Sequence, residues 1–407
     1  MKALFKSDFK SVSRENKMMQ QKLCIIQFIS QSDNGCTVPD ICKELKITAP
    51  TGIKLVNAMQ EEGILTITGK KETANGRRPY IYTLSNRNFY ALCAEVLQKR
   101  ISVGIIDSRL NAIYYRQKTD FVLENTKECL KKVEDYMLFC MENSGINSDS
   151  ILGLGIGITG NVKNSTGKFN TYFNFMDVSL ENYFYKIFDI PVFVNNDARC
   201  LGLTERIIGK AKNFHNVIVI KLSRNLGSAL IIDNKIVKGT MGYAGELGHM
   251  QFDHNDNTPC ICGNNGCLDT QVGGGALEKL FSQRLAAGEK SMLTMTQNEE
   301  IIHYDHILAA SLEKDPLSLS LVKEMGLKLG FALGNIINLI NPEKIIIGGK
   351  FAKLEEVIRI PLEKGLNESA LKNPMKQCSI EFSELGELGG LKGAGAMVFE
   401  NFKLIKK

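Results

Sequence analysis

The densest group of chemically capable side chains in the chain is His249, Cys260, Cys262 and Cys267, spaced His-x10-Cys-x-Cys-x4-Cys. Three soft sulfurs and one imidazole are the donor set of a tetrahedral Zn2+ ion. Gly263 and Gly266 supply the tight backbone needed to fold three thiolates around one ion. Four protein ligands leave no open coordination position, so the site is structural rather than hydrolytic. His254 is a competing ligand, although at six residues before Cys260 it closes a tighter loop. The remaining eight of the eleven cysteines are scattered. An odd count in a large chain with no export signal speaks against a disulfide framework.

A ligand loop of this kind needs a scaffold. From about Phe89 the texture becomes glycine-punctuated apolar strands alternating with helical stretches. Residues 151–160, 192–194, 217–220 and 344–349 have the character of buried strands, and residues 277–286, 317–339 and 351–360 have helical period. Alternation of this sort predicts an α/β body, which at over 300 residues should divide into two lobes with a small ligand in the cleft. Hydrophobic content of 44%, charged content of 23% and 36 glycines against 9 prolines exclude a disordered or collagen-like chain. No apolar run approaches the roughly 18 residues a bilayer span needs, and the start is too charged for a signal peptide, so no membrane association and a cytoplasmic location are expected.

The amino-terminal part has a different pattern. Met19, Leu23, Ile26 and Ile29 recur at helical spacing. Thr37 then caps a short helix with Pro39 in its first turn, and Thr48 caps the next, with Pro50 early and Ile53, Val56 and Met59 patterning it until Gly63. Residues 64–68 and 80–84 are β-rich runs joined by a basic tip, the layout of a winged helix-turn-helix. In that geometry Ala49, Pro50, Thr51 and Lys54 face base edges and phosphates, while Lys70, Lys71, Arg77 and Arg78 reach phosphates or the minor groove. Charge supports a polyanion partner: the first 88 residues hold 14 Lys and Arg against 8 Asp and Glu, which accounts for the whole net charge of +6.

Gly245-Glu246-Leu247-Gly248-His249, followed by Cys260-Ile261-Cys262-Gly263-Asn264-Asn265-Gly266-Cys267-Leu268-Asp269, resembles the signature of the ROK family, named for repressors, open reading frames and kinases. Asn196-Asp197-Ala198, the run ending Gly157-Ile158-Thr159-Gly160, and Asn341-Pro342-Glu343-Lys344-Ile345-Ile346-Ile347-Gly348-Gly349 resemble family segments in the family's order. The resemblance implies a pair of actin-like, ribonuclease-H-like lobes, with His249 as the fourth zinc ligand, and homodimers or homotetramers. It divides the chain into a winged helix-turn-helix at 1–86 and a sugar-binding body at 87–407. The first lobe would hold about 87–195 with a terminal helix at about 390–407, and the second about 196–389. It also implies that sugar hydroxyls are held by Asn196, Asp197, Glu246, His249 and Asp269, where the family usually has Glu at the last position. Such side chains hydrogen-bond vicinal hydroxyls, and His249 can place one ring nitrogen on zinc and offer the other to the sugar.

Family kinases carry Asp-x-Gly-x-Thr near the start of the body, where glycine amides and a hydroxyl cradle ATP phosphates. The corresponding stretch is Glu95-Val96-Leu97-Gln98-Lys99, with neither glycine nor threonine, and the second phosphate loop, Ser223-Arg224-Asn225-Leu226-Gly227-Ser228-Ala229, keeps one glycine. Asp197 matches the kinase general base, but a base without a bound phosphoryl donor has nothing to transfer, so no catalytic residue is assigned. The expectation is a sugar-responsive transcriptional regulator, a repressor whose winged helices occupy an inverted-repeat operator on double-stranded DNA and leave it when sugar binds. The rivals are an ATP-dependent sugar kinase with an appended DNA-binding domain and a sugar-independent DNA-binding protein.

Overall fold

The computed structural model describes residues 14–30, 32, 34–72, 78–85, 89–162, 171–293 and 302–405. They fall into two compact units, Met1–Cys200 with Leu391–Lys407, and Leu201–Gly390.

Three helices and a hairpin open the first unit. Helix α1 (Arg14–Ser30) buries Ile25, Ile26 and Ile29, and its buried Lys22 pairs with Glu62. Helix α2 (Val38–Leu45) starts from a reciprocal capping box, in which Thr37 Oγ1 accepts from the Asp40 amide and the Asp40 carboxylate accepts from the Thr37 amide. It stops at Lys46, whose φ of 51° ends the helix in the left-handed region. Helix α3 (Ala49–Glu61) follows after three residues, with Pro50 in its first turn. Thr48 holds the N-cap position, but its hydroxyl meets the Thr51 hydroxyl at 2.9 Å and caps no amide. Strands β1 (Leu65–Lys70) and β2 (Tyr80–Leu84) pair antiparallel from Leu65 opposite Leu84 to Lys70 opposite Tyr80.

One expectation fails here. Ile53 does not face inward: it is 49% exposed, whereas Gly52, Leu55, Val56 and Met59 are buried. At about 100° per residue those four set the inner face, and position 53 lies roughly 110° from its centre.

The rest of the first unit is a five-stranded sheet of β3 (Tyr90–Leu97), β4 (Arg100–Asp107), β5 (Ala112–Lys118), β6 (Ile151–Ile158) and β7 (Val192–Asn196), in the order β5-β4-β3-β6-β7. β3 is antiparallel to β4 and parallel to β6, and β7 continues the parallel half. One face packs Leu92, Leu154 and Ile156 against Leu130, Val133 and Met137 of the helix Lys127–Glu142 and Phe184 of the helix Leu180–Phe188. The other face meets the helix Gly389–Asn401, so closely that a Cβ on Gly155 would lie 1.9 Å from the Ala394 carbonyl oxygen. Glycine in β6 is therefore a packing requirement.

The second unit repeats the pattern. β8 (Val217–Leu222), β9 (Leu226–Ile232), β10 (Lys235–Ile236), β11 (Lys344–Gly348) and β12 (Ser379–Phe382) lie in the order β10-β9-β8-β11-β12, with β8–β9 antiparallel and β8–β11–β12 parallel. Strand alternation sends Ile218, Ile220, Ile345 and Ile347 to Leu321, Met325 and Leu329 of the helix Pro316–Ile340, and Val217, Val219 and Ile346 to Leu201 and Ala211. The helix anticipated at 351–360 is instead Glu355–Ser369, preceded by the 3-10 turn Lys350–Leu354. It runs through Pro361, whose ring packs into the space left by Gly326 on the neighbouring helix.

Candidate metal centre and ligand residues

The metal loop is built from backbone outward. The 3-10 turn Leu247–His249 is closed by the His249 amide on the Glu246 carbonyl at 3.1 Å. Isolated bridges pair Gln251 with Cys267 and Pro259 with Asn265, folding the loop back on itself. Inside the fold the Cys260 amide donates to Asn264 O at 2.8 Å and the Gly263 amide to Cys260 O at 3.0 Å. Gly266 has φ 64°, and a Cβ there would sit 2.1 Å from Asp253 O, so no other residue fits.

This backbone brings together the ligand atoms of His249, Cys260, Cys262 and Cys267, all within 4.8 Å of one another. Cys260 Sγ lies 3.4 Å from His249 Nδ1, and Cys262 Sγ lies 3.6 Å from Cys267 Sγ. A tetrahedron with metal–sulfur bonds of about 2.3 Å has sulfur–sulfur edges of about 3.8 Å, and its sulfur–nitrogen edges are slightly shorter. The four residues thus form a group that can hold a metal ion, and its histidine is His249 rather than His254. Burial first, and then the adjacent Cys262 and Cys260 thiols, push Cys267 up to about 12. A cation bound by this group would displace the thiol protons it still holds.

Two residues beyond Cys267, Asp269 opens the short helix Asp269–Val272 and is 8% exposed. One carboxylate oxygen accepts from the Leu226 amide at 2.5 Å and the other from Asn225 Nδ2 at 2.9 Å. Burial raises its pKa, and the bonds from Asn225 and Leu226 oppose that shift. Asp269 thereby fastens the β8–β9 turn, a structural role absent from the sequence reading. Glu246 is half-buried at the start of the turn that carries His249.

The same β8–β9 turn engages the helix Gly274–Ala286. The Gly274 amide donates to Ser223 O at 2.8 Å and the Gly275 amide to Arg224 O at 2.9 Å. Arg224 Nη1 reaches both oxygens of the buried Glu278, at 2.8 and 2.9 Å, and Glu278 also accepts from the Tyr304 amide. In the first unit, residues 95–99 complete β3 and a two-residue turn, Gln98–Lys99, with Gln98 O accepting from the Leu123 amide at 2.8 Å. Asn196 ends β7 and caps the helix Asp197–Ile208, its Oδ1 accepting from the amides of Ala198 (2.9 Å) and Arg199 (3.2 Å), and its Nδ2 donates to Gly160 O at 3.1 Å. Asp197 stands in the first turn of that helix, where the macrodipole favours a carboxylate.

On α3, Ala49, Pro50 and Lys54 are exposed and Thr51 is half-buried. On the hairpin, Lys70, Lys71 and Arg78 are exposed, and Arg77 lies outside the described residues. Lys70 stacks over the Tyr80 ring at 5.1 Å, and Lys71 pairs with Asp40 at 3.4 Å, both partners solvent-accessible. Asn57, also exposed, joins Ile53 on the outer face of α3. Neither was singled out from sequence as a contact, although angular arithmetic from Leu55, Val56 and Met59 points to both.

Two sheets of matching strand order, each with its first strand between an antiparallel and a parallel neighbour, define an actin-like α/β fold, here with a His/Cys group able to hold a metal ion. The chain belongs to the ROK family, whose model matches residues 92–401. It is 26% identical to the xylose repressor of Bacillus spizizenii over 402 residues, 96% of this chain and 97% of the relative. Among solved structures, it is similar to a ROK family transcriptional regulator described as a homologue of the E. coli MLC protein, with a TM-score of 0.76, 23% identity and coverage of 95% of this chain and 98% of the other. A ROK family glucokinase from Streptomyces griseus, solved with glucose and AMPPNP, aligns with a TM-score of 0.67 and 24% identity, over 76% of this chain and 98% of the other. No helix among the described residues is long and apolar enough to cross a membrane.

Proposed function

We propose that this protein is a sugar-responsive DNA-binding transcriptional regulator, a repressor released from its operator by a sugar. The observation that carries the reading is the filled β8–β9 turn. The amides of Gly274 and Gly275, at the start of a helix where an anion would bind, are taken by the turn's own carbonyls, and Arg224 is committed to Glu278. With those two amides engaged, the start of this helix offers a nucleotide phosphate fewer donors. The full-length likeness to a regulator, set against a kinase likeness over 76% of the chain, supports the same reading.

In this proposal residues 1–86 form a winged helix-turn-helix that binds an inverted-repeat operator as a symmetric homodimer or homotetramer, and residues 87–407 form the sugar-binding body. The body's lobes are 87–195 with 390–407, and 196–389. Asn196, Asp197, Glu246, His249 and Asp269 are the sugar ligands, and the metal is a structural Zn2+ held by His249, Cys260, Cys262 and Cys267. When bound, zinc fixes the orientation of His249 so that its free ring nitrogen can meet a hydroxyl. Asp269 contributes through the lone pairs that Asn225 and Leu226 leave available.

A gel shift with the full chain on the duplex upstream of its own coding region tests the proposal, run beside an ATP-coupled phosphorylation assay on a panel of hexoses, pentoses and aminosugars. The expected result is a retarded duplex and no phosphoryl transfer. Phosphorylation abolished by Asp197→Asn would establish the kinase reading instead.

A further inference from the structure

We propose that Ile53 and Asn57 are the sequence-reading residues of α3, Ile53 packing on the 5-methyl group of a thymine and Asn57 bonding the edge of an adenine. The inference rests on the DNA-binding reading above and adds what that surface recognises.

Ile53 is an apolar side chain left 49% exposed on a helix that has ample inner face for it. One turn on, Asn57 is exposed on the same side, and Pro50 and Lys54 flank the pair. No carboxylate stands in the first turn of α3, and the exposed Lys70, Lys71 and Arg78 are carried by the following hairpin. Basic groups beside the exposed Ile53 and Asn57, with the acidic Glu61 at the far end of the helix, suit a polyanion whose interior edge is partly apolar, which is the DNA major groove. In that groove thymine alone presents a methyl group, and an amide side chain pairs in bidentate fashion with adenine N6 and N7. Lys54, beside them, is placed for a phosphate or a guanine edge and fixes register. Four residues of helix advance about 6 Å, close to two base-pair steps of about 3.4 Å. The thymine and the adenine are therefore about two base pairs apart in each half-site.

The experiment uses the full chain and a duplex selected by it from a randomised library, with each thymine of the selected site replaced singly by deoxyuridine, which lacks only the methyl. Wild type should bind about fourfold more weakly when the contacted thymine of one half-site is replaced, the value of one buried methyl group. Ile53→Ala should bind the thymine and deoxyuridine duplexes equally, and Ile53→Val should keep part of the difference. Asn57→Ala should lose roughly tenfold in preference for adenine at a neighbouring position while binding random duplex as wild type does. Melting temperatures within a degree or two of wild type should accompany both exposed-site variants. A selected duplex insensitive to every deoxyuridine, or a penalty that persists in Ile53→Ala, would overturn this assignment and leave the DNA-binding reading standing. Selection of no duplex at all would overturn both.

Discussion

The two sheets have the same strand order and the same sequence of parallel and antiparallel neighbours, but the turn joining their first two strands is built differently in each. In the first unit it is two residues long: Gln98 O accepts from the Leu123 amide, the Gln98 side chain bonds Tyr172, and Arg100 pairs with Glu95 across it. In the second it is a junction. Its carbonyls hold the start of the helix Gly274–Ala286, Arg224 neutralises buried Glu278, and Asn225 and Leu226 hang on Asp269, two residues from a metal ligand. A repeated fold has thus been closed at one turn and wired at the other, and substitutions at the two turns should differ accordingly.

The largest expected effect is loss of the metal loop. Cys262→Ser should abolish stoichiometric metal and lower the melting temperature by about 10 °C, equivalent to roughly 3 kcal/mol for a unit of this size, read by calorimetry with metal analysis. It should also weaken sugar binding through His249; unchanged sugar affinity after verified metal loss would break that coupling. Arg224→Ala removes the partner of a buried carboxylate and should cost about 2 kcal/mol in urea unfolding. Lys99→Ala, at the exposed position of the equivalent turn of the first sheet, should stay within about 0.5 kcal/mol. Equal losses at the two turns would erase the contrast.

Asp269→Ala leaves the Leu226 amide without its acceptor and should cost about 1–2 kcal/mol. Because Arg224 and Asn225 adjoin in one turn, its effect should be non-additive with Arg224→Ala by at least about 0.5 kcal/mol in a double-mutant cycle. The smallest effect belongs to Glu343, whose carboxylate accepts from the amides of Asn216 at 2.7 Å and His215 at 2.8 Å and is held below its usual range by those bonds. A depressed folded pKa adds stability above the ordinary glutamate value of about 4.3 and loses it as pH falls through the lower folded value. The difference between wild type and Glu343→Gln should shrink over that acid window in pH-dependent melts, and an unchanged difference would remove the amide clamp from the account.

Much of the scaffold was legible because it is local. Thr37, Pro39, Pro50 and Gly63 mark helix ends by their own backbone chemistry, and the 317–339 period gave a helix observed at Pro316–Ile340. The metal group was legible because cysteine spacing and glycine turns fall within one loop. Less local features were not. Ile53 fits an apolar period of three yet faces outward, since burial depends on which side meets α2 and α1. Pro361 signals a stop that tertiary packing on Gly326 overrides. The tie from Asp269 to Leu226 spans 43 residues and has no sequence signature.

On the proposed reading one chain binds DNA and sugar in opposition, without using ATP. Anisotropy of a labelled operator duplex, titrated with the full chain at rising concentrations of each sugar and then repeated with Mg-ATP, tests it most directly. The account predicts that one sugar or sugar phosphate weakens DNA binding by a factor of about 5–150, that the duplex weakens sugar binding by the same factor, and that ATP changes neither. DNA affinity unaltered by a sugar shown to bind, or consumption of that sugar once ATP is added, would contradict it.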